Sequence, residues 1–102
     1  MESYLTALVD KFVVDAYADN EATGIIFNDT SKLSIFNKHH FLSAHPEQII
    51  GDKIKSVEEN EEKISIEFQR GASIEIYLDS QSWIGPEAVE LVLPNGQIII
   101  WG

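Results

Sequence analysis

Apolar and polar residues alternate along much of this chain, which is the two-residue period of a β-strand with one buried face. The clearest segments are residues 64–68 and 74–78, in which Ile, Phe or Leu occupies every second position. Residues 24–27 and 33–36 form a similar pair on either side of the polar loop 28–31. These segments predict antiparallel strands that are joined by short loops and have one face in water.

The same pattern occurs twice, with a spacing of about forty residues. The corresponding segments are Ile25–Phe27 with Ile66–Phe68, and Leu33–Phe36 with Ile74–Tyr77. Such a spacing is typical of one supersecondary unit that is used twice, because each copy covers apolar surface of the other. We predict a single domain, 1–102, with an internal duplication over about 8–49 and 50–91 and a closing hairpin at 88–101.

The two ends of the chain depart from the alternation. After Ser3, a good capping residue, five apolar residues recur at helical spacing and predict an N-terminal helix: Tyr4, Leu5, Leu8, Val9 and Phe12. Near the other end, Pro94-Asn95-Gly96 favours a tight turn. The following segment Ile98–Trp101 is apolar on both faces, which predicts a strand at the centre of a sheet. A subunit interface is the alternative position for such a strand.

Together these segments predict a mainly β fold of the α+β type. It has one N-terminal helix and about eight short antiparallel strands from a degenerate internal duplication, arranged as a sandwich or a strongly curved sheet. The length of 102 residues and the apolar content of 44% fit one globular domain.

Composition narrows the location of the protein. The apolar runs are shorter than the roughly 20 residues that cross a bilayer, and Met1-Glu2-Ser3 lacks the basic start of a secretory signal. The sequence contains no cysteine, which is typical of proteins in a reducing compartment. We therefore expect a cytoplasmic protein with no membrane partner.

Charge narrows the class of partner. Seventeen acidic and seven basic residues give a net charge of −10, and Arg70 is the only arginine. Such a charge repels nucleic acid, and phosphate sites depend on arginines and clustered basic residues. We therefore expect no nucleic-acid partner and favour another protein with a basic surface.

The densest acidic run lies at the predicted tip of a hairpin, over residues 58–62. Its four glutamates are the candidate partner-binding residues, because complementary charge speeds association and adds selectivity: Glu58, Glu59, Glu61 and Glu62. The alternative is that like charges only keep the tip solvated and discourage edge pairing.

Three histidines lie in the segment between the two copies, namely His39, His40 and His45. Imidazole binds zinc, copper or nickel, which makes these side chains candidate metal ligands. Their spacing matches no zinc signature, and adjacent strand residues point to opposite faces, so a polar connector is the alternative. We expect no bound metal and no other cofactor.

Two carboxylates occupy corresponding positions after prolines at the ends of the copies, Glu47 and Glu87. If a pseudo-twofold axis relates the copies, the two groups could converge for acid–base catalysis or for binding a hard cation. The alternative is that each accepts a local backbone N–H at the end of a turn. Trp83 and Trp101 are candidates for stacking a ligand ring, with core packing as the alternative.

The sequence contains no nucleophile-elbow, zinc-protease or phosphate-loop motif. A carboxylate–histidine pair, His45 with Glu47, is the one arrangement that would support an enzyme. We therefore predict a small, acidic, soluble, non-enzymatic protein that acts by binding another protein, as immunity proteins and inhibitors of basic nucleases or toxins do. Two alternatives stay open: a small-ligand or metal-binding module, and a structural subunit that forms a homodimer through its C-terminal strand.

Overall fold

Nine strands in the described part of the chain form two antiparallel sheets. The computed structural model describes residues 4–18, 22–42, 45–78 and 88–101. The strands are β1 (Val13–Ala18), β2 (Thr23–Phe27), β3 (Lys32–Ile35), β4 (His39–Leu42), β5 (Ile54–Glu59), β6 (Lys63–Phe68), β7 (Ser73–Tyr77), β8 (Val89–Val92) and β9 (Ile98–Trp101). The five-stranded sheet has the order β1-β2-β3-β8-β9, and the four-stranded sheet has the order β4-β7-β6-β5.

Each sheet turns one face toward a common hydrophobic core. The predicted strands at 64–68 and 74–78 are confirmed as β6 and β7, and their apolar residues are buried at every second position. A single cluster joins side chains from both sheets, including the fully buried Phe27 of β2 and Phe68 of β6. Burial of side chains of this size is the main favourable contribution to folding.

The predicted N-terminal helix is wrong. Tyr4–Leu8 forms a 3-10 helix of five residues, and the described residues contain no α-helix. Leu5 and Leu8 are both fully buried, and their spacing of three suits the three-residue turn of a 3-10 helix. The chain then leaves the helix at Asp10, which has a positive φ of 71°. The remaining residues of the predicted helical stripe form isolated β-bridges: Val9 and Phe12.

The predicted central position of the C-terminal strand is also wrong. Within the described residues, β9 is an edge strand that pairs with β8 alone. Ile99 and Trp101 pack against the core, whereas Ile98 and Ile100 are 56% and 52% exposed. An apolar composition on both faces is therefore compatible with an open edge, because only one face of this strand meets the core.

The first and second halves of the chain have the same hairpin register. An offset of 41 residues takes the pair Val13 and Phe27 of the first half to the pair Ile54 and Phe68 of the second. A β-bulge follows the first residue of each pair, at the same offset. The second 3-10 helix, Pro46–Ile49, likewise corresponds to the end of the first.

The halves are joined where β1 and β5 begin. The Asp10 N–H donates to the Ile54 carbonyl at 2.9 Å, and the Gly51 N–H donates to the Val13 carbonyl at 2.7 Å. These two bonds are equivalent, since the offset takes Asp10 to Gly51 and Val13 to Ile54. A β-bridge beside these bonds joins two further residues that the same offset relates: Phe12 and Lys53.

The C-terminal hairpin is an addition to this symmetric arrangement. β8 takes the place beside β3 that β4 takes beside β7, since Val89 pairs with Ile35 as His39 pairs with Ile76. β9 then extends the five-stranded sheet beyond β8, and in the described residues no strand extends the other sheet beyond β4. The two sheets therefore differ most at this edge.

Equivalent turns in the two halves predict unequal effects of two reciprocal substitutions. Thr30 has a φ of 73°, and its equivalent Gly71 has a φ of 100° with open space around an added Cβ. Gly71→Thr should lower the free energy of unfolding by about 1–2 kcal/mol, because a β-branched residue is strained in this region. Thr30→Gly should change it by less than about 1 kcal/mol, because relieved strain and added freedom of the unfolded chain oppose each other.

Urea denaturation followed by circular dichroism measures both free energies under one set of conditions. Equal destabilisation by the two substitutions would contradict the equivalence of these turns.

Candidate functional site

The outer surface of the four-stranded sheet is acidic. Because the apolar residues of β6 and β7 point to the core, the residues between them point outward. The cross-strand register brings Glu58, Glu67 and Glu75 of three neighbouring strands onto this surface. We call these residues, together with Glu61 and Glu62 of the adjoining hairpin tip, the acidic face.

Two lysines neutralise part of the acidic face. The Lys63 Nζ lies 3.5 Å from a carboxylate oxygen of Glu75, and the Lys55 Nζ lies 3.8 Å from one of Glu67. Exposed pairs of this kind contribute under about 1 kcal/mol each and are screened by salt. The five glutamates of the acidic face outnumber these two lysines, so this surface keeps a net negative charge.

The hairpin tip owes its shape to Asn60. The Asn60 side-chain oxygen accepts hydrogen bonds from the Glu62 N–H at 2.8 Å and from the Lys63 N–H at 3.0 Å. The side chains of Glu61 and Glu62 are not needed to form this turn, and both residues are exposed beside a shallow open depression. Asparagine therefore forms the turn, and the two glutamates project into solvent.

Glu59 is separated from the other three candidate glutamates. It follows Glu58 on β5, so its side chain points to the opposite face of the sheet. Both of its carboxylate oxygens lie within hydrogen-bond distance of the Trp101 Nε1, at 3.3 and 3.2 Å. The Trp101 ring also packs edge-on against Tyr4. Glu59 thus connects β5 of one sheet to β9 of the other and is half-buried.

His39 forms a second connection between the sheets. Its Nδ1 lies 2.7 Å from the Asn37 carbonyl, and its Nε2 lies 2.6 Å from the hydroxyl of Thr23 on β2. Since a carbonyl can only accept, Nδ1 carries a proton that it donates to Asn37, and the hydroxyl of Thr23, which can donate or accept, pairs with Nε2. Both ring nitrogens are therefore occupied by protein groups.

The structure does not bring the three candidate metal ligands together. His40 is exposed on β4, and His45 is exposed at the start of the second 3-10 helix. Among the described residues, no group of three or more histidine or carboxylate side chains is placed to hold a metal ion. The third candidate, the half-buried His39, is held by Asn37 and Thr23.

The predicted pair of carboxylates can be located only in part. Glu47 is exposed on the second 3-10 helix, whereas Glu87 and Trp83 lie outside the described residues. The convergence of Glu47 with Glu87 therefore stays a prediction, as does stacking of a ligand on Trp83.

Two ion pairs at equivalent positions have reversed charges. The Lys11 Nζ lies 3.8 Å from the Asp29 carboxylate, and at the equivalent positions the Arg70 Nε lies 3.4 Å from the Asp52 carboxylate. The Arg70 guanidinium also donates to the Ile50 carbonyl at 3.0 Å. The single arginine of the sequence is thus engaged in holding the start of β5 against the turn between β6 and β7.

One of these carboxylates has a shifted pKa. Partial burial acts to raise the pKa of Asp29, but the Ser31 N–H at 2.9 Å and the nearby Lys11 ammonium outweigh it and hold the pKa below its ordinary value. The stabilisation from ionised Asp29 is therefore present at neutral pH and is lost as the pH falls through this lowered pKa.

Sequence reasoning missed two members of the acidic face, Glu67 and Glu75. The signal was available in the alternation, since both occupy polar positions of strands that were predicted. Their proximity to Glu58 follows only from the cross-strand register, which aligns Glu58 with Ser65 and Ser65 with Glu75. A pairing register assigned from the turn lengths would have placed these side chains on one surface.

Comparison of the chain with protein-family models, with curated proteins and with solved structures finds no match. Within the described residues, no helix has the length and apolar content needed to cross a membrane.

The different roles of Glu58 and Glu59 predict different effects of the same substitution. Glu59→Ala should lower the free energy of unfolding by about 1–2 kcal/mol, because it leaves the partly buried Trp101 indole N–H without its partner. Glu58→Ala should change the free energy of unfolding by less than about 0.5 kcal/mol, because the Glu58 side chain is exposed. Urea denaturation followed by tryptophan fluorescence measures both free energies of unfolding. Equal losses would contradict the placement of these neighbouring side chains on opposite faces of the sheet.

Proposed function

We propose that this chain is a small, acidic, non-enzymatic protein that binds a basic surface of another protein through its acidic face. The observation that carries the proposal is a difference between equivalent positions of the two halves. Glu58 and Glu67 occupy positions that Tyr17 and Ile26 occupy in the first half, within the same strand register. The fold accepts other residue types there, so the glutamates are not explained by folding alone.

The electrostatics of the molecule support a basic partner. The net charge of −10 gives the whole chain an attractive field for cations, and the acidic face concentrates part of that charge on exposed side chains of one surface. Complementary fields of this kind raise association rates and reject partners of like charge. Immunity proteins and inhibitors of basic nucleases or toxins have this physical character, and a target of that kind, met in the cytoplasm, is the partner we propose.

The equivalence of the two halves supports an evolutionary origin of the acidic face by duplication followed by change. We infer a β-sandwich that arose by internal duplication, in which both copies kept their core positions. Phe27 and Phe68 are equivalent and both buried, as are Ile25 and Ile66. Change at the outward positions then leaves the shared core intact, which allows one outer surface to become acidic.

A charge-reversal variant and a matched control test the proposal. Glu58→Lys with Glu67→Lys reverses two charges on the acidic face, and Asp15→Lys with Glu47→Lys reverses two exposed charges elsewhere. The two variants have the same net charge, so long-range effects of total charge cancel in the comparison. The partner is captured from a cell extract, identified and purified, and its Kd is measured by titration calorimetry with each variant.

The proposal expects a basic partner whose affinity falls by about tenfold or more between low and moderate salt. The variant of the acidic face should lose about tenfold in affinity, and the control should lose less than about threefold, because its changes lie off the contact. Equal losses in the two variants, or a partner whose affinity ignores salt, would reject the acidic face as the binding surface.

A further inference from the structure

The outer surface of the five-stranded sheet is apolar toward its β9 edge. The register places Ile98 beside Val92 on this surface, and Ile100 beside Glu90. Ile98 and Ile100 are 56% and 52% exposed. Continuous exposed apolar surface of this kind marks an interaction site when it is not merely a scatter of single residues. We call Val92, Ile98 and Ile100 the apolar edge.

The equivalent edge of the other sheet shows that folding does not require this surface. β4 takes the place of β8 there, and in the described residues no further strand covers it. The four-stranded sheet nevertheless forms around the same core. The exposed isoleucines of β9 therefore come with the added strand and are not imposed by the architecture that the two sheets share.

Within the part of the chain that the structure describes, the main chain of β9 is also open to pairing on the side away from β8. Because the Leu93 N–H donates to the Gln97 carbonyl at 2.8 Å, the alternation of an antiparallel ladder turns the N–H and C=O groups of Ile98 and Ile100 away from β8. β9 contains no charged residue and no proline, although these are the usual devices that keep an edge strand from pairing.

We propose that β9 pairs antiparallel with β9 of a second copy of this chain, forming a twofold dimer with one continuous sheet. The strand is self-complementary when Ile99 lies on the axis. The outward main-chain groups of Ile98 then pair with those of Ile100 of the partner subunit, and the reverse pairing follows from the symmetry. Side chains of the two apolar edges meet on the same surface, where β-branched cross-strand pairs are favourable.

The balanced local charge permits a second copy at this edge. Two chains of net charge −10 repel each other, so they meet best where the local charge is balanced. The neighbouring charged residues of this surface are Lys32 on β3 and Glu90 on β8, one of each sign. They lie toward the centre of the sheet, so edge pairing leaves both in water, whereas stacking of whole faces would bury them.

The small area of the contact between the two β9 strands predicts a weak dimer. A strand of four residues pairs over less area than the roughly 800 Å² per partner of a standard interface, so the dimer is weak and depends on concentration. Salt screens the repulsion between the two acidic chains and strengthens the dimer. This response is opposite to that of the basic partner proposed above, and the two proposals can therefore fail independently.

Sedimentation velocity from about 10 μM to about 1 mM protein, at low and at high salt, tests the dimer. The unsubstituted chain should dimerise, with a Kd several-fold lower at high salt. Ile100→Lys and, as a second variant, Ile98→Lys should remain monomeric although each lowers the net negative charge. Leu42→Lys, at an exposed apolar residue of the β4 edge, is the matched control and should dimerise like the unsubstituted chain.

Circular dichroism confirms that each variant is folded before its mass is measured. A monomeric unsubstituted chain at the highest concentration, or dimers of both β9 variants, would overturn the proposal. Amide hydrogen exchange adds a direct readout, since Ile98 and Ile100 amides should become protected as the concentration rises. A dimer in which these two amides stay unprotected would also overturn it.

Discussion

The fold depends on the place where the main-chain segments 10–13 and 51–54 lie side by side and each donates a hydrogen bond to the other. We call this place the crossing. The bonds from Asp10 to Ile54 and from Gly51 to Val13 are equivalent under the 41-residue offset between the halves. They hold the starts of β1 and β5 side by side, where each begins an edge strand of its own sheet. The two inner faces are then brought together, and the common core closes between them.

This arrangement frees the outer surfaces from a role in folding. At equivalent positions the first half has Tyr17 and Ile26, and the second has Glu58 and Glu67. One surface is acidic and the other is apolar toward β9, although both cover the same kind of hairpin. Two halves with equivalent core positions and unlike outer surfaces suit the two contacts proposed above, one electrostatic with a partner and one through a strand edge with a second copy.

Most strands were predictable from local pattern, whereas β4, in the segment between the two copies, and the contacts between the sheets were not. The alternation at 64–68 predicts the buried side chains as well as the strand, because its two-residue period assigns every second side chain to the core. The spacing of Leu5 and Leu8 fits an α-helix and a 3-10 turn equally, so the sequence could not exclude the α-helix. The link from Trp101 to Glu59 joins residues 42 positions apart in different sheets, and no local pattern indicates it.

Amide hydrogen exchange at the crossing is the most direct test of this account. The Val13 N–H also donates across the crossing, to the Asp52 carbonyl at 2.9 Å. The amides of Asp10, Val13 and Gly51 should exchange only through global unfolding, with protection equal to that of the Ile66 amide in the central strand β6. Exchange of these three amides as fast as that of Glu61 at the hairpin tip would contradict the account, because the halves would then separate without unfolding.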